Sequence, residues 1–210
     1  MATATGVAVA APSYPSGTRG DGPTGNAAAL APVDRATESR FTPITPCRIA
    51  DTRSGGGPLT VNKVRDFYAT GTSGFTTQGG TDGGCGIPSA ATAIDVILQA
   101  LNSAGRGYLS ETPYGTAFTD TSLLHYIAGQ TISTGTTLPI NGTGARAFSL
   151  QTPSTNSTDV VVDVVGYFIK PMTATVDKTG KLLFGSRVVF VSGTSGAYDV
   201  RFDRSVVGCN

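Results

Sequence analysis

The chain has 210 residues, enough for one medium-sized domain with appendages. Charged residues make up 14% of it and the formal net charge is +1, so we expect neither a nucleic-acid partner nor attraction to an anionic membrane. No apolar run approaches the roughly 20 residues of a membrane-spanning helix, so no membrane insertion is expected. The 28 glycines and 12 prolines predict short strands and turns.

Residues 1–40 are rich in Ala, Gly, Pro and Thr and show no hydrophobic periodicity. Such a composition predicts an extended arm that does not fold by itself and becomes ordered only against a neighbouring subunit or a larger assembly. The arm contains the adhesive tripeptide Arg19-Gly20-Asp21, which arises readily by chance in a Gly-rich stretch. The beginning of the chain has no basic region and no compact apolar core, which predicts that no secretory signal is present.

After the arm, "GFTTQGGTDGGCGIP" at residues 74–88 is typical of a long, turn-rich loop. The next segment, "ATAIDVILQAL", is ambiguous. Its residues 94, 97, 98 and 101 fit a helical period, whereas residues 94, 96 and 98 fit a strand, and the sequence leaves both open. "GRGYLSETP" then indicates a turn and a short strand, and "ARAFSLQT" alternates as a strand does.

The segment "DVVVDVVGYF" at residues 159–168 alternates more strongly than any other. We predict a buried face that consists of Val160, Val162, Val164 and Phe168. The opposite, wet face consists of Asp159, Val161, Asp163, Val165 and Tyr167. Near the end of the chain, Tyr198, Val200 and Phe202 are expected to face inward.

Strand patterns at intervals of about 8–12 residues predict an all-β fold, a β-sandwich or jelly-roll-like domain. The expected domains are the extended arm at residues 1–40, the sandwich at 41–170 and a short C-terminal β segment at 171–210.

Three cysteines, Cys47, Cys85 and Cys209, do not form a closed set of pairs within one chain. No CxxC motif occurs, and with a single histidine, His125, we expect no zinc site with four Cys or His ligands. A nucleophilic pair of Cys47 and His125 is the weaker hypothesis, because His125 lies among apolar residues as a partly buried strand residue would. No phosphate-binding loop, nucleophile elbow or HExxH motif occurs. We therefore predict no enzyme activity, no catalytic residue, no cofactor and no metal.

Four motifs in order, "FTPITPCRIADTR", "GCGIP", "GRGYLSETPYGT" and "DVVVDVVGYF", resemble a β module of bacterial extracellular and phage-associated proteins. The resemblance covers residues 41–169. It implies a β-sandwich in which the 94–101 segment is a strand and Cys47 forms a disulfide with Cys85. It implies no catalytic activity. Beside the disulfide, we predict a structural turn in which Asp51 accepts hydrogen bonds from backbone amides or from Arg48 or Arg53.

The tail, "GKLLFGSRVVFVSGTSGAYDVRFDRSVVGC", resembles the opening of a β module that ends bacterial surface proteins and phage fibre-like proteins. That module normally continues beyond the cysteine, whereas this sequence stops at Asn210. We expect that the module is truncated, is cleaved or is completed by another copy of the chain. A lone half-sheet exposes edge strands, which are unstable unless they are paired.

These features predict a structural subunit of a virion or similar assembly, such as a tail fibre, tail or capsid decoration protein. We expect it to be attached by residues 1–40, to contribute to host attachment and to be located in the virion. The expected partners are copies of itself in a homotrimer, other virion proteins, and a glycan or protein of the host surface. The alternative is a secreted bacterial cell-surface or matrix module that binds glycans or proteins.

Overall fold

The structure, a computed structural model, describes residues 38–143, 146–153, 155–194 and 197–204. The described residues form twelve β-strands and one short 3-10 turn at Thr76–Gln78, so the predicted all-β class is confirmed. Two compact units are distinguished, Ser39–Lys170 and one that includes Pro171–Asn210. Residues 1–37 of the predicted arm, with the tripeptide at residues 19–21, lie outside the described residues, and so does Cys209.

The unit Ser39–Lys170, called the body below, contains two four-stranded antiparallel sheets. The first sheet has the order β1-β8-β3-β6, with strands Arg40–Asp51, Asp159–Ile169, Ala91–Leu101 and Ile132–Pro139. The second has the order β2-β7-β4-β5, with strands Val64–Phe67, Phe148–Gln151, Gly107–Pro113 and Leu124–Tyr126. Strand neighbours in the sheets are therefore mostly distant in sequence.

One hydrophobic cluster joins the two sheets of the body. The first sheet contributes Ile49, Ile94, Val96, Leu98, Leu138, Val160, Val162 and Val164 to it. The second sheet contributes Phe67, Leu109, Leu124, Tyr126, Phe148 and Leu150. Phe67 and Phe148 face each other across β2 and β7 and stack with their ring centroids 5.3 Å apart. The shared core between two sheets is the arrangement of a β-sandwich.

Strand β3 resolves the ambiguity of the segment at residues 94–101. Ile94, Val96 and Leu98 are buried in the core, whereas Ile97 between them is 41% exposed. This period of two is that of a strand, which the family resemblance also implies.

The predicted buried face of β8 holds for the first half of the strand only, and the predicted solvent-facing residues Asp159 and Val161 are buried. Val160, Val162 and Val164 are fully buried, as expected, but Phe168 is only half-buried while Tyr167 is buried. The reason is a β-bulge, because β3 pairs Val96 with Val164 and Asp95 with Gly166, which leaves Val165 without a partner in that ladder. One extra residue exchanges the faces of all residues that follow it. Val161, assigned to the wet face, is also buried.

The C-terminal unit consists, in its described part, of two separate two-stranded ribbons. The first pairs β9, Thr173–Val176, with β10, Leu182–Ser186, and the second pairs β11, Val188–Thr194, with β12, Ala197–Phe202. Tyr198, Val200 and Phe202, expected to face inward, are only half-buried. None of the described segments is a helix long and apolar enough to cross a membrane.

The position of β8 between β1 and β3 makes Val162 a sensitive probe of the sandwich. We expect Val162→Asp to destabilise the body by about 4 kcal/mol or more, because it buries an unpaired carboxylate among apolar side chains. Val64→Asp, on the edge strand β2 where Val64 is 55% exposed, is the matched control and should change stability by no more than about 0.5 kcal/mol. Denaturant unfolding followed by circular dichroism measures both, and equal midpoints for the two variants would contradict the assigned core.

Candidate functional site

The motif at residues 45–53 forms the end of β1 and the turn after it. Its cysteine is part of a disulfide. Cys47 is bonded to Cys85 with a Cα–Cα distance of 5.8 Å, which confirms the pairing implied by the resemblance. The bond closes a segment with a sequence separation of 38 and joins β1 to the loop before β3. Cys47 is therefore not a free nucleophile.

Beside the disulfide, Arg48, Asp51 and Arg53 form one ion-pair cluster with Asp163 of β8. Arg48 donates from Nε to Asp163 Oδ1 at 2.8 Å, from Nη2 to Asp163 Oδ2 at 3.1 Å and from Nη1 to Asp51 Oδ2 at 3.2 Å. Arg53 donates to the two oxygens of Asp51 at 2.8 and 2.6 Å. These forked contacts are charge-assisted and geometrically specific. Arg48 thus joins two adjacent strands of the first sheet.

Asp51 also closes the turn that follows β1. Its carboxylate accepts a hydrogen bond from the Arg53 amide at 3.2 Å, and its carbonyl accepts from the amides of Ser54 and Gly55. The side-chain hydrogen bond from Arg53 holds the pKa of Asp51 below its ordinary value, although burial opposes the shift. The lowered pKa favours the ionised carboxylate, whose hydrogen bonds close the turn that the sequence predicts.

A third set of contacts anchors the "QGG" triplet at residues 78–80 against β1. The buried Gln78 side chain donates to the carbonyls of Ile49 and Tyr68 and accepts from the Tyr68 amide. A Cβ on Gly79, where φ is 77°, would lie 2.0 Å from the Asp51 carbonyl oxygen, and one on Gly80 would lie 2.1 Å from that of Ile49. Only glycine permits such a close approach of two backbones.

The buried carboxylate of Asp159 was assigned to a wet face, and the structure places it in a hydrogen-bond network instead. Asp159 accepts from the Thr52 hydroxyl at 2.7 Å and from the Asn102 amide at 3.0 Å. The Thr52 hydroxyl oxygen in turn accepts from the Val160 amide. No local pattern of residues indicates this network, because strand pairing brings its members together from distant segments.

Glu111 on β4 is the carboxylate with the most unusual surroundings. It pairs in register with Leu150, and its Oε1 atom is buried without a hydrogen-bond partner in the described part of the chain. Burial raises the pKa of Glu111 to about 7. A lone buried carboxyl group is not the pair of acids that glycoside hydrolysis requires.

Among the surface grooves on the described part of the second sheet, two differ clearly in size and polarity. The larger, here called the Tyr108 groove, has a volume of about 520 Å³ and is lined by Arg106, Tyr108, His125, Tyr126, Ile127 and Thr155. The smaller, of about 300 Å³, is more polar and includes Arg65, Asp66 and Arg146. Both arginines of the smaller groove already donate to backbone carbonyls, Arg65 to those of residues 55–57 and Arg146 to that of Asp66.

His125 lies in the Tyr108 groove, and the expectation that it is partly buried is wrong. Its side chain is exposed because β5 alternates, with Leu124 and Tyr126 facing the core. Its Nε2 atom lies 3.1 Å from the Ser122 hydroxyl. Within the described ranges, no three His, Cys, Asp or Glu side chains are grouped closely enough to hold a metal ion.

Comparisons of the chain with family models, curated proteins and solved structures gave no match.

We expect the Cys47–Cys85 bond to contribute about 4 kcal/mol to stability, because it restricts the unfolded chain over the segment that it closes. The double variant Cys47→Ala, Cys85→Ala should lower the free energy of unfolding by about that amount in a denaturant titration. Cys209→Ala, which leaves the pair intact, is the matched control. A double variant as stable as the control would show that the bond does not support the fold.

Glu111 should make the body less stable as pH rises. Its folded-state pKa of about 7 exceeds the ordinary value of 4.5, so its contribution to stability is fully present below about pH 4.5 and is lost as pH rises through about 7. Glu111→Gln should remove this loss and be more stable than the unchanged chain at pH 8 (about one unit above that pKa). Melting temperatures between pH 4 and 8 measure the effect, with Glu38→Gln at an exposed position as control. Parallel profiles for the Glu111→Gln variant and the unchanged chain would contradict it.

Proposed function

We propose that this chain is a non-enzymatic structural subunit of an extracellular assembly, and that copies associate through the C-terminal unit. The observation that carries the proposal is the exposure of large apolar side chains on the two ribbons. On β10, Phe184 is 60% exposed and Leu183 is 57% exposed. On β11, Val189 is 63% exposed and Phe190 is 48% exposed.

Leu183 and Val189 are the extra residues of β-bulges, each next to an exposed phenylalanine, so each ribbon exposes two large apolar side chains at one point. A two-stranded ribbon is marginally stable in water by itself, and exposed apolar patches indicate interaction surfaces. In addition, each ribbon has unpaired strand edges within the described residues. Burial of these side chains and edges therefore requires additional strands.

Another copy of the same chain is the simplest source of these strands, because every copy presents the same apolar ribbons and open edges. A closed rotational arrangement would bury them all without leaving an end that continues to add subunits. A homotrimer is the arrangement that we propose, since it lets each ribbon contact two neighbours. The resemblance of the tail to phage fibre-like proteins supports the same arrangement.

The proposal includes a location in a virion, as part of a tail fibre, a tail or a capsid decoration, with residues 1–40 as the attachment arm. The support for this location is the resemblance of the motifs at residues 41–169 together with the composition of the arm. The disulfide favours the second candidate, a secreted cell-surface or matrix module, because such bonds form and persist in oxidising compartments. Both candidates place the working protein outside the cytoplasm.

The association of copies is tested by the molar mass of the full chain in solution, measured by light scattering after gel filtration. We expect a trimer for the unchanged chain and a monomer for the double variant Phe184→Ser, Val189→Ser, which makes both ribbons more polar. Ile97→Ser removes a similarly exposed apolar side chain from the body and should leave the trimer intact. A monomeric unchanged chain at micromolar concentration would overturn the proposal.

A further inference from the structure

We propose that the Tyr108 groove is a binding site for acidic oligosaccharides, with Tyr108 and His125 as the surface on which a sugar ring packs and Arg106 as the partner of its carboxylate. This site belongs to the body and does not depend on the association of copies through the ribbons. It goes beyond the structural role by giving the subunit a ligand.

The floor of the site is a rigid pair of rings. Tyr108 and His125 face each other across β4 and β5, with ring centroids 5.7 Å apart and ring planes inclined by 35°. The next pair along the same strands, Leu109 and Leu124, points the other way into the core and fixes the backbone. The contact between His125 and Ser122 further restricts the His125 ring. The rings are thus held before any ligand arrives, which lowers the entropic cost of binding.

Below these rings, Tyr126 connects the groove to the chain around residue 156. Its hydroxyl donates to the backbone carbonyl of Asn156 at 2.7 Å, and the side-chain amide of Asn156 donates to the backbone carbonyl of Arg106 at 2.9 Å. These bonds fix the backbone of Arg106 beside the ring pair while its side chain remains exposed. The cation and the rings are therefore presented together on one surface.

The mixed chemistry of the lining fits a sugar. An aromatic ring has a negative face, which attracts the polarised C–H groups on the flat side of a pyranose ring. The hydroxyl groups around the edge of a sugar need polar partners, and the exposed Thr155 hydroxyl lies in the lining. A volume of about 520 Å³ in an open groove suits a short stretch of chain rather than an enclosed cofactor.

The charge of the groove selects an acidic sugar. Arg106 is exposed, and no carboxylate is among the described residues that line the groove. A guanidinium forms two parallel hydrogen bonds with a carboxylate, so a uronic acid residue would match it. The edge strand β5 has only three residues, too few to add an extended peptide strand with useful affinity. A nucleic acid would need a broader basic surface than one arginine provides.

The experiment is isothermal titration calorimetry of the full chain with tetragalacturonate, tetramannuronate and, as the neutral counterpart, maltotetraose. We expect at least one of the two uronates to bind more tightly than maltotetraose. Tyr108→Ala should weaken uronate binding by about tenfold or more, and Arg106→Gln should do the same while changing maltotetraose binding by less than about twofold. Arg106 is exposed, so its substitution should leave the melting temperature unchanged.

Two variants outside the groove are matched controls. Tyr114→Ala removes an exposed tyrosine, and Arg40→Gln removes an exposed arginine at the start of β1, so neither should change uronate affinity. The proposal is overturned if neither uronate binds at millimolar concentration, if maltotetraose binds as tightly as the uronates, or if Tyr108→Ala and Arg106→Gln bind like the unchanged chain. A monomeric chain that still binds uronates would overturn the proposed association of copies without affecting this site.

Discussion

The fold of the body depends on covering the unpaired edge of β1. Strand β1 lies at the edge of the first sheet, where one row of backbone groups has no neighbouring strand. The loop at residues 76–85 covers part of this row, since the Gln78 side chain donates to the Ile49 carbonyl and the Thr81 amide donates to the Arg48 carbonyl. The Cys47–Cys85 bond holds the loop there. Covering an edge in this way protects a sheet against pairing with other chains.

This constraint explains why the conspicuous motifs are structural. The two arginines and the one aspartate of the segment at residues 45–53 are paired with one another or with Asp163, so their charges stabilise the turn and the sheet. Gln78 and the two glycines after it are required by the approach of the loop to β1. The proposed functions involve two other motifs. "GRGYLSETPYGT" contains Arg106 and Tyr108 of the Tyr108 groove, and the tail motif contains the exposed apolar residues of β10 and β11.

The two units differ in how far they bury their apolar side chains. In the body, side chains from both sheets form one shared core, whereas the ribbons expose large apolar side chains. The ribbons do contain specific polar contacts, including the ion pair of Arg187 with Asp203 at 2.7 Å. These contacts fix the local path of the chain but bury little apolar area. This difference agrees with the proposed association of copies through the C-terminal unit.

The sequence by itself determined the all-β class, several strands including β4, β7 and β8, and the core face of β8 at Val160, Val162 and Val164, because a period of two is a local property of the chain. Its motifs also indicated the disulfide and the turn at Asp51. Only the tertiary structure decided the rest. The bulge at Val165 depends on the register with β3, the bond from Arg48 to Asp163 joins residues 115 positions apart, and the exposure of His125 depends on which face of β5 meets the core. Such features arise from strand pairing between distant segments, which no local pattern of residues specifies.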